Sequence, residues 1–380
     1  MTAPLPALPL PPAAAQLLDH AGRWTREQYP LPVHRAMARE TDDTIARRLW
    51  SAIADLGWTS VALPPSHGGW GGDRLQACAI SQACGASLLA LPWLEHAMLA
   101  TGLLLRLPAG PARDALLSAS PQACIAVAAA EDGQRSLLQC PATRASGTAD
   151  GWRLQGRKAA VAGATFAGTF LVTATLDGAP DAGPAVFAIE AATPGLRVRP
   201  SRALGGRRIA QLDVDVQLPP GALLARGAAA ADALALAVDD AALAACTEAV
   251  GLASMALGAT LDHLRTRHQF GQPIGRFQAL QHRAADMFVA LRYAAALAWA
   301  TVEDAAADPG ADHGAAIACA KAEVMRQCRI VVAGATQLHG GMGVVDELPV
   351  SHAARRLLEL ECSWGDRTAR LDQVARALAA

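Results

Sequence analysis

The sequence has almost no lysine and no excess of charge of either sign. Lys158 and Lys321 are the only lysines among 380 residues, and the formal net charge is −1. Nucleic acids and anionic membrane surfaces attract proteins through clustered positive charge. Because the chain lacks such an excess, we expect no nucleic-acid partner.

Paired cysteine motifs and long apolar runs are also missing. The eight cysteines include no CxxC pair and no His/Cys spacing typical of metal sites, so no metal centre is predicted. The first fifteen residues lack the basic start and continuous apolar run of a signal peptide. No stretch of about 18 uninterrupted apolar residues predicts a membrane span. We expect a cytoplasmic protein whose cysteines are buried thiols.

Apolar residues, by contrast, are plentiful. With 52% hydrophobic and 18% charged residues over 380 positions, the chain has the composition of a globular protein of two or three domains. The hydrophobic period changes twice along the chain. These changes predict an N-terminal helical domain over residues 1–120, a middle β domain over 121–228 and a C-terminal helical bundle domain over 229–380.

Each predicted domain has its own pattern. In the first, apolar residues recur at helical spacing, at Ile45, Leu49, Ile53 and Leu56. Gly57 follows them and is predicted to end the helix. In the second, alternate apolar positions predict a half-buried strand, at Leu212, Val214, Val216 and Leu218. In the third, a seven-residue spacing predicts bundle seams, at Leu243, Val250, Leu257 and Leu264 and at Ile317, Val324 and Val331.

Two longer segments have distinctive amino-acid sequences. One begins at Arg267 and reads RHQFGQPIG, and the other begins at Gln337 and reads QLHGGMG. Together with a weaker match from Gly57 to Gly69, they closely resemble the signatures of the acyl-CoA dehydrogenase family. The resemblance implies an α+β fold with an N-terminal helical domain, a central antiparallel β-barrel domain and a C-terminal four-helix bundle.

The same resemblance implies FAD as the cofactor. Consecutive glycines let backbone N–H groups approach phosphates closely, and an arginine can pair with a pyrophosphate through two hydrogen bonds. In the family the two segments come from neighbouring subunits and contact the FAD from two sides. The cofactor-binding residues implied in this sequence are Arg267, Gln269, Phe270, Gln278, Gln337, Gly340 and Gly341. We interpret His339 as a packed bundle histidine.

The catalytic base of the family has no counterpart at either usual position. The glutamate that normally removes the α-proton is replaced by Trp364, and the alternative position holds Ala241. An indole is only a hydrogen-bond donor, and alanine has no polar group, so neither can take a proton. We interpret the neighbouring carboxylates as pairing or surface residues, namely Asp240, Glu359, Glu361 and Asp366.

The middle domain also departs from the family. The strand and loop that normally touch flavin and acyl-CoA read AAAEDG over 128–133, and the flavin-covering segment reads KAAVAG over 158–163. Alanine supplies no side-chain hydrogen bond to a flavin ring. The sequence therefore predicts that this chain alone binds the isoalloxazine ring weakly.

Intact cofactor segments beside a missing base resemble the small subunit of two-subunit acyl-CoA dehydrogenases, such as those acting on pimeloyl-CoA or steroid side chains. We expect an FAD-dependent subunit that oxidises an acyl-CoA, passes electrons to an electron-transfer flavoprotein or similar acceptor, and forms a homo-oligomer or a heterotetramer with a larger subunit. Two alternatives stay open: a non-catalytic structural subunit in which Trp364 fills the acyl pocket, and a flavin-dependent monooxygenase or other redox enzyme.

Overall fold

The computed structural model describes residues 10–178 and 183–379. The described residues form two compact units that alternate along the chain. The first contains residues 10–36, 74–90 and 242–379, and the second contains residues 37–73 and 91–241 without the four undescribed positions. The predicted domain boundaries after residues 120 and 228 remain predictions.

Helices make up most of the first unit and also occur in the second. They are α1 (Pro12–Gln28), α2 (Leu31–Met37), α3 (Thr44–Asp55), α4 (Arg74–Ser87), α5 (Thr101–Arg106), α6 (Pro111–Ala119), α7 (Ala228–Thr266), α8 (Gln278–Ala307), α9 (Gly314–His339), α10 (Pro349–Cys362) and α11 (Arg367–Ala379). Helix α3 contains three of the four predicted stripe residues, and the fourth, Leu56, directly follows its last residue. Gly57 comes next with φ +73°, the left-handed conformation that favours glycine.

The strands of the second unit form one sheet. They are β1 (Ile125–Ala128), β2 (Arg144–Thr148), β3 (Gly151–Ala162), β4 (Thr169–Leu176), β5 (Pro184–Glu190), β6 (Leu196–Arg202), β7 (Arg208–Leu218) and β8 (Leu223–Arg226). Their order is β6-β7-β3-β2-β4-β5-β8, and β1 pairs with β4. In the first unit, β9 (His268–Gln269) and β10 (Gln272–Pro273) form a separate hairpin.

Strand β7 has the predicted dry and wet faces. Its four alternate apolar residues are buried, whereas Asp213 and Asp215 lie on the other face. Asp213 pairs with Arg157 on β3 at 3.2 Å, and Asp215 pairs with Arg153 at 3.2 Å. The alternation therefore separates an apolar core from a charged surface, as the sequence predicted.

The sheet is mixed rather than wholly antiparallel. Strands β1 and β2 both run parallel to β4, with Ile125 opposite Thr169 and Arg144 opposite Thr175. The remaining pairings along the sheet are antiparallel. Alternation of apolar residues reveals which face of a strand is buried but not the direction of its neighbour, so the sequence could not predict the two parallel pairings.

A buried ion pair connects three segments of the second unit. Lys158 Nζ on β3 donates to Glu131 Oε1 at 2.5 Å and to Thr173 Oγ1 at 3.1 Å. The Glu131 carboxylate also accepts from the backbone N–H and hydroxyl of Thr143. Burial raises the pKa of Glu131, but these hydrogen bonds outweigh it and leave the pKa below its ordinary value. Glu131 therefore carries the negative charge that compensates the buried ammonium.

Buried apolar seams and one very close helix contact organise the first unit. The seven predicted seam residues on α7 and α9 are all buried. A Cβ added at Gly85 on α4 would lie 2.0 Å from the Glu248 carbonyl oxygen on α7. Conversely, a Cβ at Gly251 on α7 would lie 2.1 Å from the Gln82 carbonyl oxygen on α4. The two helices therefore touch backbone to backbone, which only glycine permits.

Two helices are long and apolar enough to cross a membrane by length and composition. They are α7 and α8, and 83% and 50% of their most apolar windows are buried inside the protein. Core helices of soluble proteins meet the same criteria, so these two helices are weak evidence for a span.

The expectation that the cysteines are buried needs correction. Five are buried, but Cys140, Cys319 and Cys362 are exposed. Composition gives the number of thiols and not the direction in which each one faces, and a thiol is small enough to be tolerated on a helix surface.

The contact of α4 with α7 gives the first prediction. Gly85→Ala and Gly251→Ala should each lower the free energy of unfolding by about 2 kcal/mol or more, because a methyl group cannot fit without separating the helices. Gly258→Ala is the matched control on α7, since open space surrounds it. It should raise stability by about 0.5–1 kcal/mol through helix propensity. Urea unfolding measures all three, and equal effects at the three positions would contradict the close contact.

Candidate functional site

The arginine segment begins where α7 ends. Its first residue, Arg267, donates its backbone N–H to the His263 carbonyl at 2.9 Å and accepts from the Ile274 N–H at 2.8 Å. A Cβ at Gly275 would lie 2.8 Å from the Leu264 carbonyl oxygen, so this glycine keeps the segment close to α7. The segment is therefore a short hairpin fixed to the end of a buried helix.

The tip of this hairpin presents an aromatic ring to solvent. Phe270 has φ +54° and Gly271 has φ +77°, and both lie between β9 and β10. The left-handed conformation costs a bulky residue roughly 1–2 kcal/mol. Phe270 gains little in return within this chain, because it is 90% exposed and contacts Phe277 edge to face with ring centroids 6.0 Å apart. A strained, exposed aromatic residue indicates a binding role better than a packing role.

The glycine segment begins where α9 ends. Gly340 has φ +59° and donates its N–H to the Gln337 carbonyl, so its role is to end the helix. Gly343 is needed for packing, because its Cβ would lie 2.3 Å from the Thr336 carbonyl oxygen. Gly341 has neither requirement: its φ is not positive, and a Cβ would meet open space. The protein itself does not require glycine at 341, whereas close approach of a ligand would.

A residue of the glycine segment contacts the end of α7, just before the arginine segment. The rings of His263 and His339 are stacked, with centroids 4.5 Å apart and planes 24° from parallel. His263 lies four residues before Arg267, and His339 directly precedes Gly340. The sequence predicted both segments but not this stack, which joins residues far apart in the chain.

The residues of these segments suit a diphosphate ligand. The seven residues implied as FAD contacts are all exposed, at Arg267, Gln269, Phe270, Gln278, Gln337, Gly340 and Gly341. They offer an arginine fork, amide side chains, an aromatic face and open backbone, which are the groups that bind phosphates and an adenine ring. Over 10–178 and 183–379, no cluster of three or more His, Cys, Asp or Glu residues could hold a metal ion.

Trp364 occupies a strained turn after α10. It has φ +51°, and Gly365 follows with φ +88°. Two buried cations hold the turn: Arg370 donates to the Trp364 carbonyl at 2.9 and 2.6 Å, and Lys321 Nζ donates to the Gly365 carbonyl at 2.6 Å. Burial, with help from Arg370, lowers the pKa of Lys321 to about 8. The turn is rigid, and Trp364 itself is buried.

None of the four nearby carboxylates is an unengaged base. Asp240 pairs with Arg106 at 2.6 Å in the second unit, where Ala241 is fully buried. In the first unit, the other three also have partners: Glu359 pairs with Arg356 at 3.0 Å, Glu361 binds Arg329, and Asp366 caps α11 by accepting the Ala369 N–H at 2.8 Å. Their interpretation as pairing residues is consistent with these contacts.

Sequence reasoning missed the partner of Arg356. Glu248 on α7 accepts two hydrogen bonds from the Arg356 guanidinium on α10, at 2.7 and 3.0 Å, and both side chains are buried. Such a pair fixes the direction in which α10 leaves the glycine segment. Only the apolar surroundings of Glu248 in the sequence could have suggested that it is buried and paired.

The two alanine-rich segments of the second unit lie side by side. The Ala159 N–H donates to the Ala130 carbonyl at 2.9 Å, next to the ion pair of Lys158 and Glu131. Ala160 is exposed with φ +52°, at the point where the pairing of β3 with β7 shifts register. A β-bulge of this kind turns the backbone toward a neighbouring group. The two residues within this register shift, Ala159 and Ala160, have no polar side chain.

Comparison with known proteins identifies three family domains along the chain. Residues 11–109, 126–216 and 229–379 match the N-terminal, middle and C-terminal domains of acyl-CoA dehydrogenases. The acyl-CoA dehydrogenase FadE27 of Mycobacterium tuberculosis is 29% identical over 356 residues, which cover 92% of each chain.

Two solved structures have closely similar folds. A chain of a variant of the Tcur3481-Tcur3483 steroid ACAD has a TM-score of 0.84 at 28% identity, covering 96% of this chain and 97% of that one. A chain of the ChsE4-ChsE5 complex from Mycobacterium tuberculosis has a TM-score of 0.84 at 26% identity, covering 98% of both chains. The expected fold is confirmed. The chain belongs to the acyl-CoA dehydrogenase family, whose characteristic cofactor is FAD.

Proposed function

We propose that this chain is an FAD-binding subunit of an acyl-CoA dehydrogenase, which forms the α,β double bond of an acyl-CoA together with a partner subunit that supplies the catalytic carboxylate. One observation carries the proposal. The two cofactor segments are intact and open, whereas both usual base positions lack a carboxylate, with Trp364 at one and Ala241 at the other.

The chain's own residues would hold the adenosine-diphosphate half of FAD. Arg267 would pair with the pyrophosphate, Gly340 and Gly341 would let their backbone approach it, and Phe270 would cover the adenosine. Gln269, Gln278 and Gln337 are the remaining hydrogen-bonding groups of this half-site. When bound, FAD supplies the acceptor for the hydride that leaves the β-carbon.

Both segments of one chain would serve the same FAD. The stack of His263 on His339 brings the segments together within the chain. This proposal differs from the expectation that the two segments come from neighbouring subunits and approach the cofactor from opposite sides, which stays a prediction. The flavin ring would then rest largely on another chain, which agrees with the alanines at 128–130 and 159–160.

A residue of another chain would remove the α-proton. Tryptophan offers only an N–H donor, and the carboxylates near both base positions are already in ion pairs or a helix cap. Similarity to chains of two two-component complexes, Tcur3481-Tcur3483 and ChsE4-ChsE5, supports a larger dehydrogenase subunit as the partner. An electron-transfer flavoprotein or similar acceptor would then reoxidise the flavin.

A structural, non-catalytic subunit is the second candidate. The observation that favours it is the burial of Trp364, which is only 6% exposed and lies in a turn held by two cations. A fixed indole at the place of the base would block an acyl chain rather than process it. This candidate predicts that the chain adds stability to a complex without changing its chemistry.

The role of Gly341 gives a test of cofactor binding. In the assembly that binds FAD, Gly341→Ala should weaken FAD affinity by about tenfold or more, which is about 1.4 kcal/mol, because the methyl group would occupy space needed by the cofactor. It should leave the free energy of unfolding of the cofactor-free protein within about 0.5 kcal/mol of wild type. Flavin fluorescence and urea unfolding measure the two quantities.

Gly343→Ala is the contrasting variant. Its Cβ would lie 2.3 Å from the Thr336 carbonyl oxygen on α9, so it should destabilise the cofactor-free protein. Unchanged FAD affinity in Gly341→Ala would show that the cofactor does not approach this loop.

The missing base gives a test of the partner requirement. The isolated chain should oxidise acyl-CoA at least about a hundredfold more slowly than the chain combined with its larger subunit, because a positioned general base contributes about 10²–10⁴-fold. An assay with an artificial electron acceptor measures both rates. Full activity of the isolated chain would contradict the partner requirement, and equal activity of the larger subunit with and without this chain would favour the structural role.

A further inference from the structure

The stacked rings of His263 and His339 are not explained by catalysis or by the ends of the helices that carry them. The stack lies where the arginine segment and the glycine segment begin, and each ring is about one helical turn or less from a proposed FAD contact. It therefore links the end of α7, just before the arginine segment, to the glycine segment.

Each histidine makes a hydrogen bond within its own stretch of chain, His339 through its ring and His263 through its backbone carbonyl. His339 is buried, and its Nδ1 lies 2.8 Å from the Ala335 carbonyl oxygen, so Nδ1–H donates to that oxygen. His263 is half-buried in the last turn of α7, and its carbonyl accepts the Arg267 N–H. The stacked rings are thus carried by residues that adjoin the backbone of Arg267 and of Gly340.

The His263 ring enters the stack as a neutral aromatic group near neutral pH. Burial lowers the pKa of His263, and the adjacent His339 and Arg267 lower it further. The contact then resembles an offset aromatic pair, which stabilises beyond the area that it buries. Its contribution should depend on ring shape and not on charge.

We propose that His263 and His339 are positioning residues for the FAD site: their stack holds the arginine segment and the glycine segment at the separation that one diphosphate spans. The inference rests on the proposed function, since it assigns the cofactor site its support. Neither histidine touches the reacting atoms, and both act through Arg267 and Gly340.

Substitutions at 263 separate ring shape from charge. His263→Ala removes the stack and should weaken FAD affinity roughly three- to tenfold, the range that corresponds to an aromatic pair. His263→Phe keeps a ring without a titratable nitrogen and should restore affinity to within about twofold of wild type. His20→Ala, at an exposed position of α1, controls for removal of any histidine.

Hydrogen exchange of the cofactor-free chain provides a readout that does not need FAD. In His263→Ala, the backbone amides of residues 340–344 should exchange faster than in wild type, whereas His263→Phe should keep the wild-type rate. Urea unfolding of each variant shows whether global stability accounts for the change. Faster exchange confined to this loop, with the ring restoring it, is the expected result.

Two outcomes would overturn the inference. One is equal FAD affinity and equal exchange in His263→Ala and wild type, and the other is failure of His263→Phe to restore what alanine removes. If no combination of chains binds FAD, the proposed function fails. The exchange experiment still tests the stack by itself, so the two failures are distinguishable.

Discussion

The close crossing of α4 and α7 is the contact on which the first unit depends. Gly85 and Gly251 let the two backbones touch, and the Glu248 carbonyl lies at that contact. The side chain of the same Glu248 holds Arg356 and therefore α10. At the far end of α7, His263 stacks on His339, and Arg267 begins the hairpin of β9 and β10. The helix α7 thus contacts α4, α10 and the last residue of α9, and it leads into the hairpin that is proposed to bind the cofactor.

Buried charged side chains hold turns, helices and strands in place. Lys321 and Arg370 hold the carbonyls of a turn, Arg356 binds a buried glutamate, and Lys158 is compensated by Glu131 in the second unit. Burying such groups without partners would be costly, so each is fully engaged. The carboxylates near the two base positions follow the same rule. The chain therefore keeps the family fold, and the two positions implied for the base hold Trp364 and Ala241.

Local patterns made much of the fold predictable. Alternation identified β7, the heptad seams identified the buried faces of α7 and α9, and Gly57 marked the end of a helix. Contacts between distant residues were not predictable in this way. The parallel pairings with β4, the glycine crossing and the histidine stack each depend on tertiary geometry, which no local period records.

The candidate site was likewise predictable in its residue types but not in its tertiary structure. Its residue types were readable from Arg267 and from the glycine run, because phosphate recognition needs arginines and an open backbone. The structural reason for each glycine was not readable: Gly340 ends a helix, Gly343 fits against α9, and Gly341 has no such role within the chain. The exposure and strain of Phe270 also appear only in the folded hairpin.

The amount of flavin per chain tests the central claim most directly. The claim is that this chain holds one half of an FAD site that another chain completes. Absorbance of the released flavin against protein concentration, measured for the purified complex and for the isolated chain, gives the ratio. The account predicts one FAD for every two chains in the complex and little flavin on the isolated chain. One tightly bound FAD for each isolated chain would contradict it.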